Sequence, residues 1–126
     1  MLINNLDHLV LTVADIDASC RFYKRVLGLE ILTFGDDRKG LLVGQQKINL
    51  HQAGRELSPC AGKPTPGSAD LCFISPLPIK EIQAHLTSCS VAIELGPVVR
   101  TGALGEMTSL YFRDPDHNLI ELSHYR

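Results

Sequence analysis

The segment DHLVLTVADIDASCRFYKRVLGLEI, residues 7–31, contains a strand pattern followed directly by a helix pattern. Residues 6–13 alternate and are rich in Leu, Val and Thr, which predicts a β-strand. Asp15 suits a helix N-cap, and Gly28 predicts the end of that helix. Apolar side chains recur between them at helical spacing, at Ile16, Cys20, Tyr23 and Leu27, with Phe22 and Val26 widening the stripe.

The remainder of the chain repeats this order once. The segments 29–34, 40–43 and 47–51 predict three strands separated by glycine and charged turns. Residues 53–68 are rich in glycine and proline, which is typical of a linker. A second series follows it, with a strand at 69–74, a helix begun by Pro78 and strands at about 92–99, 108–113 and 118–123.

The two series have nearly the same internal spacing. Their helical stripes begin at Ile16 and Ile79, 63 positions apart, and their first strands open at His8 and Asp70, 62 positions apart. A duplicated βαβββ module explains this pattern. We therefore predict one α+β domain over residues 1–126, with module one at about 4–52, the linker at about 53–68 and module two at about 69–126. The expected architecture is a curved, cup-shaped mixed sheet with helices on its outer face.

Strand alternation separates the apolar side chains from a set of polar ones. Alternate residues of a strand share a face, so Leu and Ile residues cover the helices and another set lies opposite. The opposite set includes His8, Asn49, His51, Asp70 and Glu121. Imidazole and carboxylate groups on one surface are suitable ligands for a divalent metal. A lone histidine such as His8 is more often structural than a ligand, and Asp70 or Glu121 alone is explained equally well as a solvated carboxylate.

Composition narrows the class of protein. A chain of 126 residues with a net charge of -2 fits one globular domain and gives no electrostatic case for nucleic acid or an anionic membrane. The apolar runs are too short to span a bilayer, and no basic stretch precedes an apolar one at the start, so we expect a cytoplasmic protein without a membrane segment. The four cysteines form no Cys-x-x-Cys pair and predict buried, reduced thiols.

Both ends of the chain resemble the vicinal oxygen chelate superfamily. Residues 7–28 are similar to its opening, D-H-x-x-L-x-V-x-D followed by F-Y-x-x-x-L-G, and FRDPDHNLIEL at 112–122 is similar to its closing F-x-D-P-D-G-N-x-I-E. The superfamily includes glyoxalase I, fosfomycin-resistance and bleomycin-resistance proteins and extradiol dioxygenases. INLHQAG at 48–54 and the closing segment most resemble its glyoxalase domain-containing, lactoylglutathione lyase-like group.

The resemblance implies metal ligands on the first and last strands of each module. His8 matches the first-strand histidine and Glu121 the last-strand glutamate. Asp70 stands where relatives have a second histidine, and Asn49 aligns with a glutamate of glyoxalase I, with His51 on the same face. The set His8, His51, Asp70 and Glu121 would supply two imidazoles and two carboxylates to Ni, Zn, Mn or Fe. Glu121 and His51 are the catalytic candidates.

Two functions follow from this resemblance. In the first, a divalent ion chelates two oxygens of a small substrate and acts as a Lewis acid in a glyoxalase-type isomerase or lyase, with epoxide opening the second choice of reaction. Asn49, Arg100, Arg113 and Lys63 are the candidates for holding that substrate. Ordinary glyoxalase I activity is not expected, because an amide at position 49 cannot act as the base.

The alternative is a metal-free dimer that binds a small molecule, as bleomycin-resistance proteins do. A homodimer is expected for either function. Pairing would hide Val10, Cys72 and Ile74, which alternation places on the faces away from the helices.

Overall fold

The computed structural model describes residues 1–126 and contains the predicted order of elements twice. The first half comprises β1 (His8–Val13), α1 (Ile16–Leu27), β2 (Glu30–Phe34), β3 (Arg38–Val43) and β4 (Gln46–Gln52). The second comprises β5 (Asp70–Ile74), α2 (Ile79–Ser88), β6 (Leu95–Gly102), β7 (Gly105–Arg113) and β8 (Leu119–Tyr125). The α+β class and the two βαβββ modules are confirmed. Predicted and observed strand ends differ by a few residues, because fraying ends carry little periodic signal.

Each half forms its own four-stranded mixed sheet. The strand orders are β1-β4-β3-β2 and β5-β8-β7-β6, and neither sheet is closed. In each sheet the first and last strands of the module pair in parallel, and the remaining pairs are antiparallel. The first strand of each module therefore lies at a sheet edge, beside the strand that carries the candidate residues of the same module.

Helix α1 begins and ends where its sequence predicts. The Asp15 carboxylate accepts a hydrogen bond from the backbone N–H of Ala18 at 3.2 Å. Gly28 has a φ of 68°, the left-handed conformation that glycine adopts without a steric penalty, and its N–H bonds to the Lys24 carbonyl at 3.0 Å. These caps satisfy backbone groups that a helix leaves unpaired at its ends.

The apolar face of each sheet packs under the helix of its own module. Alternation predicts nine helix-side strand residues, of which Leu11, Val13, Ile48, Leu50, Ile120 and Leu122 are buried and Leu9, Leu71 and Phe73 are half-buried. Tyr23 and Val26 of α1, and Ile82 and Leu86 of α2, are buried as well. Burial of one such side chain stabilises a fold by roughly 1.5–3 kcal/mol. Packing therefore requires the polar residues of the same strands to lie on the opposite face.

The chain separates into two compact units, Met1–Pro66 and Gly67–Arg126. The boundary falls inside the predicted linker at 53–68, where proline and glycine are frequent. We call these units 1 and 2 and describe each by itself. A single domain over residues 1–126 stays a prediction.

The cysteine prediction was half right. All four thiols are free, as expected, but none is buried: Cys60 and Cys72 are exposed, and Cys20 and Cys89 are half-buried. Cys72 belongs to the face of β5 that has no helix over it, so alternation alone did not determine its burial.

Neither helix is long and apolar enough to cross a membrane.

Candidate functional site

The helix-free face of unit 1 carries three of the candidate residues. The parallel register of β1 and β4 puts His8 beside Lys47, so that Asn49 lies two positions further along and His51 four. Side chains two positions apart share a face, and this face is opposite the buried Leu and Ile residues. The alternation predicted for these strands is therefore present.

His8 has one ring nitrogen already engaged. Its Nδ1 lies 2.8 Å from the Asp7 carboxylate, and the side chain is partly exposed. When a carboxylate accepts a hydrogen bond from Nδ1–H, the Nε2 lone pair is free to bind a metal ion. Metal-bound histidines are usually oriented by a hydrogen bond of this kind. His8 is thus oriented to act as an acceptor or ligand through Nε2.

Asn49 and His51 are buried but incompletely hydrogen-bonded. Asn49 is 5% exposed and His51 is 6% exposed. The Asn49 Oδ1 and His51 Nδ1 atoms have no hydrogen-bond partner. A buried polar atom left unpaired costs roughly 1–3 kcal/mol. Both atoms therefore lack the hydrogen bond that a buried polar atom normally makes.

The register does not bring His8 and His51 together. His51 lies four positions beyond the residue that pairs with His8, and a strand rises about 3.3 Å per residue, so the two are separated by roughly 13 Å along the sheet. Two imidazole nitrogens on one ion, each about 2.1 Å from it, cannot be more than roughly 4 Å apart. Asn49 lies only two positions beyond the partner of His8, so it is nearer to His8 along the sheet than His51 is.

The helix-free face of unit 2 carries the two candidate carboxylates. Asp70 pairs with Leu119 and Cys72 pairs with Glu121 in the parallel register of β5 and β8. Glu121 thus lies two positions beyond the partner of Asp70, the same offset that separates Asn49 from the partner of His8. Asp70 is exposed and Glu121 is half-buried. The duplication therefore extends from the elements to the positions of the polar pair.

Glu121 is the centre of a hydrogen-bond network. Its Oε2 accepts from the Ser123 hydroxyl at 3.2 Å, and the Ser123 Oγ lies 2.7 Å from the Ser109 Oγ and 3.4 Å from the Cys72 Sγ. Desolvation raises the pKa of the Cys72 thiol, so it stays protonated at neutral pH. These contacts supply the partners that a half-buried carboxylate requires.

Tyr111 joins the same network from β7. It pairs directly with Glu121 in the register of β7 and β8, and the carboxylate is close enough to contribute to the raised pKa of Tyr111. The Arg100 Nε donates to the Tyr111 hydroxyl at 3.0 Å. Burial raises the pKa of Tyr111, the hydrogen bond from Arg100 opposes the rise, and the Glu121 charge adds to it. The Tyr111 phenol therefore stays a proton donor at neutral pH.

The other proposed substrate-binding cations are placed differently. Arg113 makes two contacts with Glu94, at 2.9 Å and 3.0 Å, and one with the His117 carbonyl at 3.2 Å. Hydrogen bonding with Arg113 lowers the pKa of Glu94 and raises that of Arg113. Lys63 is exposed, in the segment that precedes β5. Arg100 donates to the hydroxyl of Tyr111, the strand partner of Glu121, so it is better placed than Arg113 or Lys63 to hold a substrate beside that carboxylate.

Sequence reasoning missed Tyr111, Ser109 and Ser123 as partners of Glu121. Alternation from Glu121 does put Ser123 on the same face. The two β7 residues could be identified only from the β7–β8 register, which pairs Ser109 with Ser123 and Tyr111 with Glu121.

Neither unit by itself fits a divalent ion. The nitrogen and oxygen donors are of the right chemical type, but each unit offers two at the repeated offset, whereas zinc, nickel and their relatives take four to six ligands. No group of three or more His, Cys, Asp or Glu side chains in the structure is placed to hold a metal ion.

Comparison with known proteins gives consistent results for nearly the whole chain. The sequence model of the Glyoxalase/Bleomycin resistance protein/Dioxygenase superfamily matches residues 5–122. Virulence protein STM3117 of Salmonella typhimurium is 54% identical over 125 residues, covering 99% of this chain and 87% of that protein. Glyoxalase domain-containing protein RDO1 of Mycosarcoma maydis is 51% identical over 124 residues, covering 98% of this chain and 70% of that protein.

Solved structures agree on the fold. The crystal structure of STM3117 superposes with a TM-score of 0.97 at 54% identity over 100% of both chains. The lactoylglutathione lyase of Agrobacterium tumefaciens gives a TM-score of 0.73 at 21% identity, covering 97% of this chain and 94% of that one. At that identity the likeness establishes the fold alone.

Proposed function

Because this chain belongs to the glyoxalase/bleomycin resistance protein/dioxygenase superfamily, we propose that it is a glyoxalase-type isomerase or lyase acting on a small oxygenated substrate. The observation that supports this most is the line of side chains from Glu121 through Tyr111 to Arg100. It puts a proton acceptor, a proton donor and a cation on one accessible sheet face.

Each of these groups has a role in moving a proton next to a carbonyl. Glu121 takes the proton from the carbon, and the electrons of the broken C–H bond move to the carbonyl oxygen. Arg100 and Tyr111 donate hydrogen bonds to the negative oxygen as it forms, which lowers the energy of the enolate. The proton of the substrate hydroxyl passes to the former carbonyl oxygen, the first oxygen becomes the new carbonyl, and return of the proton from Glu121 to the neighbouring carbon completes the isomerisation.

Deuterium exchange tests this proposal without knowledge of the product. We expect the protein in D₂O to exchange the carbon-bound hydrogen of at least one small α-hydroxy or α-keto carbonyl compound, such as dihydroxyacetone, because enolisation precedes any later step. Proton NMR follows the loss of the signal. A panel in which no compound exchanges faster with the protein than without it would contradict an enolising enzyme.

The hemithioacetal of methylglyoxal and glutathione is expected to be a poor substrate. Asn49 stands where the glyoxalase resemblance implies a carboxylate, and a positioned base is worth roughly 10²- to 10⁴-fold in rate. We expect turnover well below the order of 10 per second typical of enzymes, measured as the rise in ultraviolet absorbance when the thioester forms. Turnover at or above that order would show that position 49 does not limit the reaction.

The sequence-based metal set is tested by metal content. We predict that His8→Ala and Glu121→Ala each lower the divalent metal bound per chain, because loss of a ligand weakens the binding of the ion. His51→Ala is the matched control, since the register separates it from His8. Elemental analysis after dialysis gives the readout. Unchanged occupancy in Glu121→Ala would remove this residue from the set.

A metal-free binding function is the second candidate. Apolar side chains are exposed on the helix-free faces, with Val10 46% exposed and Ile74 52% exposed, and two ligand-type residues per unit do not fill a metal shell. Such faces suit an organic molecule that is bound and not converted. Saturable binding of a compound with no deuterium exchange and no product would favour this candidate over the enzyme.

A twofold homodimer is the expected assembly. Val10, Cys72 and Ile74 are all exposed in the chain, and burial of apolar surface drives association. A stable interface covers roughly 800 Å² per partner. Light scattering at micromolar concentration should give twice the chain mass, and Ile74→Lys should weaken the dimer. A stable monomer in the unmodified protein would remove the prediction.

The cytoplasm is the compartment that we propose. All four thiols are free, and reduced cysteines are typical of proteins kept in a reducing compartment. Fractionation of cells that express the full chain would test this placement.

A further inference from the structure

The helix-free face of unit 1 carries two cations on one aromatic ring. The Lys47 Nζ lies 3.9 Å from the centroid of the Phe34 ring, and the Arg38 Cζ lies 4.9 Å from it. These three residues, which we call the basic cluster, come from β2, β3 and β4. Phe34 pairs with Arg38 at the end of the β2–β3 hairpin, whereas Lys47 pairs with Leu42, so the long Lys47 side chain passes Gly40 to reach the ring.

The two positive charges of the basic cluster are not neutralised by the protein. The ion pairs in the structure involve His8, Lys39, Arg113 and Arg126, and neither Arg38 nor Lys47 is within 4.0 Å of a carboxylate. The ring stabilises each cation through its π face, but it adds no negative charge. Two like charges held close together without a counterion favour the binding of an anion.

A buried acceptor lies next to the basic cluster. Lys47 and Asn49 are two positions apart on β4, and Asn49 pairs with Gly40 on β3. A Cβ atom at Gly40 would lie 3.3 Å from the Asn49 Oδ1 and 3.3 Å from the Lys47 Cγ and Cδ atoms. Gly40 is itself buried, and its missing side chain lets the Lys47 stem lie against the strand beside Asn49. The Asn49 Oδ1 is buried there and has no hydrogen-bond partner in the chain.

We propose that unit 1 has an anion-binding subsite, formed by the basic cluster and Asn49, for a small carboxylate that carries a hydroxyl group. The carboxylate is held by the Lys47 and Arg38 cations through charge-assisted hydrogen bonds. The hydroxyl, on the neighbouring carbon, donates to the Asn49 Oδ1 and completes its hydrogen bonding. This subsite lies in unit 1, so it stands independently of the reaction proposed at Glu121 in unit 2.

The test compares glycolate with acetate, which differ by a single hydroxyl group. Backbone amide NMR shifts of the full chain are followed during titration with each salt at low ionic strength. We expect saturable shifts centred on β3 and β4 for both anions, with glycolate bound about three- to tenfold more tightly, the range expected for one net hydrogen bond. Added sodium chloride should weaken both, because exposed charges are screened.

Two variants test separately the contribution of the Lys47 cation and that of the Asn49 hydrogen-bond acceptor. Lys47→Gln should weaken both anions by about tenfold, as loss of a charge-assisted contact implies. Asn49→Leu should remove the preference for glycolate and leave acetate binding unchanged. Lys39→Gln is the matched control, because Lys39 lies next to Arg38 on β3 but points to the other face, where it bonds Thr33.

The outcomes are distinct. Shifts that centre on other residues, equal affinity for the two anions, or an equal effect of Lys39→Gln and Lys47→Gln would overturn the subsite. If Asn49→Leu fails to give a dispersed spectrum, the Lys47→Gln and Lys39→Gln pair still decides the issue. Failure of this subsite would leave deuterium exchange at Glu121 unaffected, and the reverse also holds.

Discussion

Glu121→Gln is expected to reduce deuterium exchange catalysed by the protein by about 10²- to 10⁴-fold, the contribution of a positioned general base. The amide keeps the shape of the carboxylate and can still accept from the Ser123 hydroxyl, which donates to Glu121 at 3.2 Å. It has no useful basicity, so the proton of the substrate has no acceptor. Exchange rates by NMR, normalised to the concentration of folded protein, give the measurement.

Two control variants show whether the lower exchange rate of Glu121→Gln is due to the loss of the general base. Glu30→Gln removes the same charge from an exposed position on β2 in unit 1 and should leave the exchange rate unchanged. Tyr111→Phe removes only the hydroxyl that links Arg100 to Glu121 and should have a smaller effect than Glu121→Gln. A Glu121→Gln protein that exchanges substrate at the unmodified rate would exclude Glu121 as the base.

Asp114→Ala is expected to destabilise unit 2 by about 3 kcal/mol or more, since three buried or half-buried donors lose their acceptor at roughly 1–3 kcal/mol each. Asp114 is 4% exposed. Its Oδ1 accepts from the backbone N–H of Asp116 and of Asn118, each at 2.9 Å, and its Oδ2 accepts from the Asn118 Nδ2 at 2.8 Å. The Asn118 Oδ1 in turn accepts from the Ala69 N–H at 2.9 Å, next to β5.

Urea unfolding followed by circular dichroism measures this effect as a shift of the midpoint. Asp36→Ala, in an exposed turn of unit 1, is the control and should change the midpoint little. An Asp114→Ala protein as stable as the unmodified one would mean that water replaces the three contacts. A loss of stability of this size would mean that the D-P-D-H-N turn holds β5, β7 and β8 together. The turn would then have a structural role and take no part in the reaction.

This turn also accounts for one departure from the superfamily pattern. The resemblance implies a glycine where His117 stands, and His117 has a φ of 66°. That left-handed conformation favours glycine and is costly for most other residues. The hydrogen bonds of Asp114 hold the turn in spite of this cost, with the His117 N–H bonding to the Asp114 carbonyl at 3.0 Å.

Local sequence patterns were sufficient to predict which elements form and which face of each is apolar. Helix α1, its Asp15 cap and its Gly28 end, and the buried alternation of strands such as β1 and β8 were all predicted correctly. These features depend on residues close together in the chain, because helix and strand periods of 3.6 and 2 are local properties. The closing motif likewise identified the turn that Asp114 holds.

The tertiary structure alone decided which polar side chains meet. Strand register joins residues far apart in sequence, and no local pattern records it. The β1–β4 register separates His8 from His51, although both were predicted on one face. The β7–β8 register brings Tyr111 to Glu121, Arg113 pairs with Glu94, and Arg100 donates to the Tyr111 hydroxyl. Hydrogen bonding and ion pairing act over a few ångströms, so such side chains find their partners only once the strands are aligned.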